Sequence, residues 1–164
     1  MKLYIIRHAI AEDRDVFAKL QSDDTLRPLT LKGQKKFEKM AKFLHEKIEN
    51  IDYLIASPYK RAFETADILH KYFQSSEFRM DNRMVPEANI KESLKMLGEL
   101  KMHNSIAIVG HEPHLGLLIS FLLAGSDYNF VEVKKGSVCC IEFKGDPAPH
   151  RGQLKWYITP GFIG

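Results

Sequence analysis

The chain of 164 residues is 45% apolar and 27% charged, the composition of a soluble globular protein long enough for one full hydrophobic core. Lys and Arg number 24 against 21 Asp and Glu, a net charge of +3 that suits an anionic substrate but is too small for a nucleic-acid surface. The only cysteines, Cys139 and Cys140, are adjacent and exclude a disulfide framework. Four apolar residues before Arg7 are too few for a signal-peptide core, and no later stretch is long enough to span a membrane. The expected setting is therefore the cytoplasm, with no membrane and no nucleic-acid partner.

In chain order, Leu3 to Ile6 is a short apolar run predicted as a buried strand. Glu12 to Pro28 is polar and irregular, centred on Gln21-Ser22-Asp23-Asp24, and is predicted as a long loop of the kind that often carries function. Thr30 is placed as the N-cap of a basic helix ending near Ile48. Its apolar positions are Phe37, Met40, Ala41, Leu44 and Ile48, with Lys35, Lys36, Lys39 and Lys42 on a solvated outer face. Ile51 to Ala56 is a second buried strand. Ser57 follows as a cap and Pro58 as the first position of a helix running to Phe73.

A weaker strand is predicted at Phe78 to Met80 and a helix at Asn89 to Lys101. Ser105 to Val109 is a third strong strand, and Pro113 opens a helix ending near Gly125. Val138 to Phe143 and Leu154 to Ile158 are closing strands around the turn-rich Gly145-Asp146-Pro147-Ala148-Pro149. This alternation predicts an α/β protein: three α/β/α layers around a mostly parallel central sheet, as one domain over 1–164, with the last two strands as an antiparallel pair.

The chemistry sits where the strong strands end. The first ends in Arg7-His8. The second ends in Ser57-Pro58, with Arg61 in the first turn beyond. The third ends in Gly110-His111. In a parallel sheet these ends share one edge, where open α/β sheets bind ligands. Two arginines and two histidines converging there suit a phosphoryl group, because the guanidinium fork pairs with phosphate oxygens and stays charged. No Gly-rich lysine loop is present and no aspartate cluster suggests Mg²⁺. A side chain must then be the nucleophile, and a neutral imidazole can accept a phosphoryl group directly. Nearby arginines should lower a histidine's pKa and keep its ring nitrogen free.

These residues resemble a known family. Leu3-Tyr4-Ile5-Ile6-Arg7-His8-Ala9 is similar to the Arg-His-Gly signature of the histidine phosphatase, or phosphoglycerate-mutase-like, superfamily. Ser57-Pro58-Tyr59-Lys60-Arg61-Ala62-Phe63-Glu64-Thr65-Ala66 and Val109-Gly110-His111 resemble its second and third motifs, in the family's order. The short chain, Leu26-Arg27-Pro28-Leu29-Thr30-Leu31-Lys32-Gly33 and Leu154-Lys155-Trp156-Tyr157-Ile158-Thr159-Pro160 resemble the SixA branch of protein phosphohistidine phosphatases.

The resemblance implies the phosphoglycerate-mutase-like fold and hydrolysis through a covalent phosphohistidine on His8. Arg7, Arg61 and His111 would hold the phosphoryl oxygens. The partner it implies is a phosphorylated histidine phosphotransfer domain, attacked by a monomer without metal or cofactor. Arg27 is a further substrate-binding candidate, and Glu87 is the candidate proton donor, with a helix N-terminal glutamate as the ordinary alternative. Ala9 replaces the family's usual glycine, a change expected to be tolerated. A small-molecule phosphomonoesterase on the same fold is the alternative activity.

His111 and His114 are three apart, a spacing that could suggest metal, but Pro113 between them argues against it. His114 is instead expected at the pocket rim, touching substrate. The adjacent cysteines in a strand should face opposite sides, with one of them in the core.

Overall fold

The computed structural model describes residues 1–20, 22–74 and 76–164. Gln21, within the predicted loop, lies outside the described residues. Six strands form one sheet: β1 (Lys2–Arg7), β2 (Tyr53–Ala56), β3 (Glu77–Met80), β4 (Ser105–Gly110), β5 (Val138–Glu142) and β6 (Gln153–Ile158). Their order across the sheet is β3-β2-β4-β1-β5-β6. The first four strands in this order run parallel, while β5 is antiparallel to β1 and β6 to β5. The mostly parallel sheet and the antiparallel closing pair are as predicted.

The helices are α1 (Arg14–Ala18), α2 (Leu31–Lys47), α3 (Lys60–Tyr72), α4 (Ile90–Glu99) and α5 (His114–Ala124). They cover both sheet faces, because side chains along each strand alternate sides. Tyr4 and Ile6 of β1 pack with Phe37, Met40 and Leu44 of α2 and Ala62, Ala66 and Leu69 of α3. Leu3 and Ile5 point the other way, to Met96 and Leu97 of α4 and Leu115, Leu118 and Leu122 of α5. Both cysteines are core residues: Cys140 belongs to the first layer and Cys139 to the second. No described helix is long and apolar enough to cross a membrane.

Two local expectations are corrected. The 12–28 segment is no plain loop, since it contains α1 and a 3₁₀ turn at Asp24–Leu26. Asp13 caps α1 by accepting from the Asp15 and Val16 amides, and Asp23 caps the turn by accepting from Thr25. Elements this short show no hydrophobic period, so only their caps could have announced them. The helix after β2 also begins two residues late. Tyr59 is its N-cap, and the bend before the helix falls at Pro58 and Tyr59.

Thr30 does cap α2, its hydroxyl accepting from the Gly33 amide at 2.9 Å. The Thr30 amide donates to the Ile10 carbonyl at 3.0 Å, which ties the start of α2 to the chain leaving β1. A Cβ on Gly33 would meet that carbonyl oxygen at 2.0 Å, so this approach requires glycine. Ala9 is not among the residues with positive φ and accommodates its side chain in ordinary backbone geometry.

Candidate active site

Register builds the centre of the site. Arg7 at the end of β1 is paired with Gly110 at the end of β4, so the next residues, His8 and His111, emerge side by side. The His8 amide donates to the Gly110 carbonyl at 3.0 Å, and the two imidazole centroids lie 5.1 Å apart. From β2, the Ser57 amide donates to the Val109 carbonyl at 2.9 Å, which brings the start of α3 and Arg61 to the same edge. A cavity of about 460 Å³ opens there, lined by Arg7, His8, Arg27, Arg61, His111 and Lys135 among others.

His8 is buried, and its Nδ1 lies 2.7 Å from the Ala9 carbonyl oxygen. A carbonyl only accepts, so Nδ1 carries the proton and Nε2 keeps its lone pair. Burial, reinforced by the charges of Arg61 and Arg7 and opposed by the Ala9 hydrogen bond, pushes the His8 pKa down to about 3. The direction is as expected, but desolvation and not the arginines is the larger cause. The Ala9 amide is held in turn by the Thr65 hydroxyl at 3.0 Å.

His111 lies 2.8 Å from the Ser57 hydroxyl through Nε2. That hydroxyl oxygen also accepts from the Tyr59 amide at 3.3 Å, which fixes the serine beside the imidazole. Burial, then His8 and Arg61, bring the His111 pKa down to about 2.

The cationic side is equally built. Arg7 donates from Nη1 to the Val133 carbonyl at 2.7 Å. Arg61 donates from Nη1 to the Asp24 carbonyl at 2.9 Å, and its Nη2 lies 3.1 Å from the Asp24 carboxylate. Arg27 donates from Nε to the same carboxylate at 2.8 Å and from Nη1 to the Glu12 carbonyl at 2.8 Å. Partial burial acts to raise the Asp24 carboxyl, but Arg27, Arg61 and Arg14 outweigh it and hold the group below its ordinary value. The Nε atoms of Arg7 and Arg61 and Nδ1 of His111 are buried without a hydrogen-bond partner among the described residues. Orphaned buried donors are costly unless a ligand satisfies them. The two arginine Nε donors beside one cavity suit a tetrahedral oxyanion.

The structure therefore brings together Arg7, His8, Arg27, Arg61 and His111. The other two predicted residues stand differently. Glu87 is exposed and lines an adjoining cavity of about 330 Å³ together with Arg61, Asp24 and Tyr59; Arg61 and Pro86 line both this cavity and that of His8. His114 is buried below the site instead of standing at its rim, with Nε2 2.7 Å from the Ser93 hydroxyl. Burial brings its pKa down to about 4. His111 and His114 thus turn to different serines.

Sequence reasoning missed Ser57, Asp24, Lys135 and Glu112. Glu112 lines the His8 cavity, and its carboxylate accepts from the Gly116 amide and the Asn129 side chain. Burial raises its pKa, against the opposing pull of Arg7. The spacing of Asp24 and Arg27, three apart, was the one signal for Asp24.

Comparison with known proteins bears on family and fold. The model of the histidine phosphatase superfamily, branch 1, matches residues 3–85, just over half of the chain. An uncharacterized protein of Picosynechococcus sp. is 29% identical over 140 residues, covering 84% of this chain and 82% of its own. The protein histidine phosphatase SixA in complex with tungstate superposes with a TM-score of 0.86 at 21% identity, over 100% of both chains. The alpha-ribazole phosphatase of Shigella flexneri gives 0.72 at 18% identity, over 98% of this chain and 97% of its own. The phosphoglycerate-mutase-like fold is common to them.

Proposed function

This chain belongs to the histidine phosphatase superfamily, a phosphatase family, and from that premise we propose that it hydrolyses phosphohistidine in a protein through a phosphoenzyme on His8. The observation that carries this reading is the His8 tautomer. With Nδ1–H donated to Ala9, an unprotonated Nε2 is left in a cavity lined by Arg7, Arg27 and Arg61.

The Nε2 lone pair attacks phosphorus, and the bond from phosphorus to the substrate's imidazole nitrogen breaks. The leaving imidazole departs with the proton it already carries, so no strong protein acid is needed. Arg7, Arg61 and His111 hold the equatorial oxygens, as phosphoryl transfer demands positioning and charge stabilisation above all. Arg27 is placed to hold the same group from the 12–28 side. Water then attacks the phosphorus of phosphorylated His8. The second bond from phosphorus to nitrogen breaks, inorganic phosphate leaves and the ring returns to its neutral form.

Glu87, on the cavity that adjoins that of His8 across Arg61, is the candidate acid for a substrate whose leaving group needs one. The likeness to an alpha-ribazole phosphatase keeps a small-molecule phosphomonoester as the second reading. The partner we propose is a phosphorylated histidine phosphotransfer domain, met in the cytoplasm by a monomer that uses no metal.

Mixing the protein with such a phosphorylated domain and following phosphate release is the test. Turnover should proceed at an unchanged rate in EDTA. His8→Ala should lose at least about a thousandfold in rate, together with the acid-labile phosphoenzyme. Phosphate release by that variant at the wild-type rate would sink the proposal.

A further inference from the structure

The resemblance that points to His8 assigns nothing to Asp24, yet this residue makes more contacts with the cationic side of the site than any expected one. Arg61 spends both terminal nitrogens on it, one at 2.9 Å on the Asp24 carbonyl and one at 3.1 Å on its carboxylate. Arg27 Nε takes the other carboxylate oxygen at 2.8 Å. The two arginine side chains are 2% and 6% exposed, so two like charges are buried beside each other with this carboxylate between them. Asp24 does not line the cavity that holds His8, whereas Arg27 and Arg61 do. It lines the neighbouring cavity and stands behind the guanidiniums.

We propose that Asp24 is a positioning residue of the phosphoryl site, whose carboxylate and carbonyl hold Arg27 and Arg61 so that their remaining donors meet the phosphoryl oxygens. This deepens the phosphatase reading and rests on it. The physical case compares two opposed effects. A carboxylate behind the arginines repels the incoming anion, but the Asp24 side chain is 42% exposed, so solvent and salt screen much of that repulsion. Misalignment of two charge-assisted donor forks is not screened in this way, because their bonds to phosphate depend on direct geometry. Positioning should therefore outweigh repulsion.

The test is calorimetric binding of inorganic phosphate to the intact chain. Asp24→Asn, which is almost isosteric, should weaken binding about tenfold without changing the thermal melt by more than a few degrees. Asp24→Glu keeps the charge but displaces it by one methylene, and it should also weaken binding severalfold. In an Arg27→Lys, Arg61→Lys background the Asp24→Asn substitution should change binding less than about twofold, because its effect passes through those side chains.

Unchanged or tighter phosphate binding by Asp24→Asn, which simple removal of a repelling charge would give, would overturn the proposal. So would an effect of full size in the double-lysine background. If the wild-type chain binds no phosphate, the phosphatase reading falls with it. If phosphate binds but no phosphohistidine is turned over, only that reading falls.

Discussion

The site has two halves of different origin. His8, His111 and Arg61 hang from strand ends or the helix turn that follows one, and hydrogen-bond register fixes their neighbourhood to within one residue. Arg27 and Asp24 come from a segment held, among the described residues, by the bridge of Ala11 with Leu29, by the bond from the Glu12 amide to the Pro28 carbonyl, by Arg61 on Asp24, and by its own caps. On the proposed reading, the sheet supplies the nucleophile and its oxyanion donors, while the segment supplies a brace for the arginines. Chemistry that must be placed accurately is carried by the part of the fold that cannot slip without turning a strand inside out.

The sharpest way to break this contrast is to truncate one arginine from each half. Arg61→Ala should cost about a hundredfold to a thousandfold in kcat/KM, the range for losing a transition-state oxyanion donor. Arg27→Ala should cost about tenfold, as one charge-assisted contact. Equal losses for the two variants would erase the distinction.

Stability offers a second cut. Gly33→Ala drives a methyl group into the Ile10 carbonyl oxygen, which Thr30 already holds through its amide. It should destabilise the chain by about 1–3 kcal/mol, visible in urea unfolding, by prising α2 from the chain that leaves β1. A neutral result would mean that the segment yields easily there.

Acid should act on the buried histidines. Folded His8, His111 and His114 have pKa values brought to about 3, 2 and 4. Between those values and the unperturbed value of about 6.5, the unfolded chain binds more protons than the folded one. Stability should therefore fall as pH drops from about 6.5 toward 4, and His114→Gln should make the fall in melting temperature shallower. The smallest expected effect is that of Glu87→Gln. On a phosphohistidine substrate it should change kcat by less than about threefold. A loss of a hundredfold on alkyl phosphates would instead favour the ester-hydrolysing alternative.

The same division explains what could be read from the amino-acid order. Leu3 to Ile6, Leu54 to Ala56 and Ile106 to Val109 are apolar runs buried on both faces, so their ends, and the residues just past them, were legible. Arg7, His8, Arg61 and His111 were found for that reason. The brace was not legible, because five- and three-residue helices carry no period and a capping aspartate resembles any polar loop residue. His114 was misplaced because one residue decides which side of a helix N-terminus faces a cavity, and Ser93 reaches it from α4, far along the chain.

The adjacent cysteines have a practical use. Cys139 and Cys140 sit in opposite core layers, and burial pushes their thiols up to about 12 and about 11. A thiol reagent should find neither while the sheet stays closed, because attack needs an accessible thiolate. Two neighbouring positions thus form a pair of clocks, one for each side of the sheet. If both layers come apart together, the labels should arrive in a single kinetic phase. A lag between them would time the order in which the layers open. A cysteine engineered beside the cavity mouth could meanwhile carry a dye on the native protein without removal of the native pair.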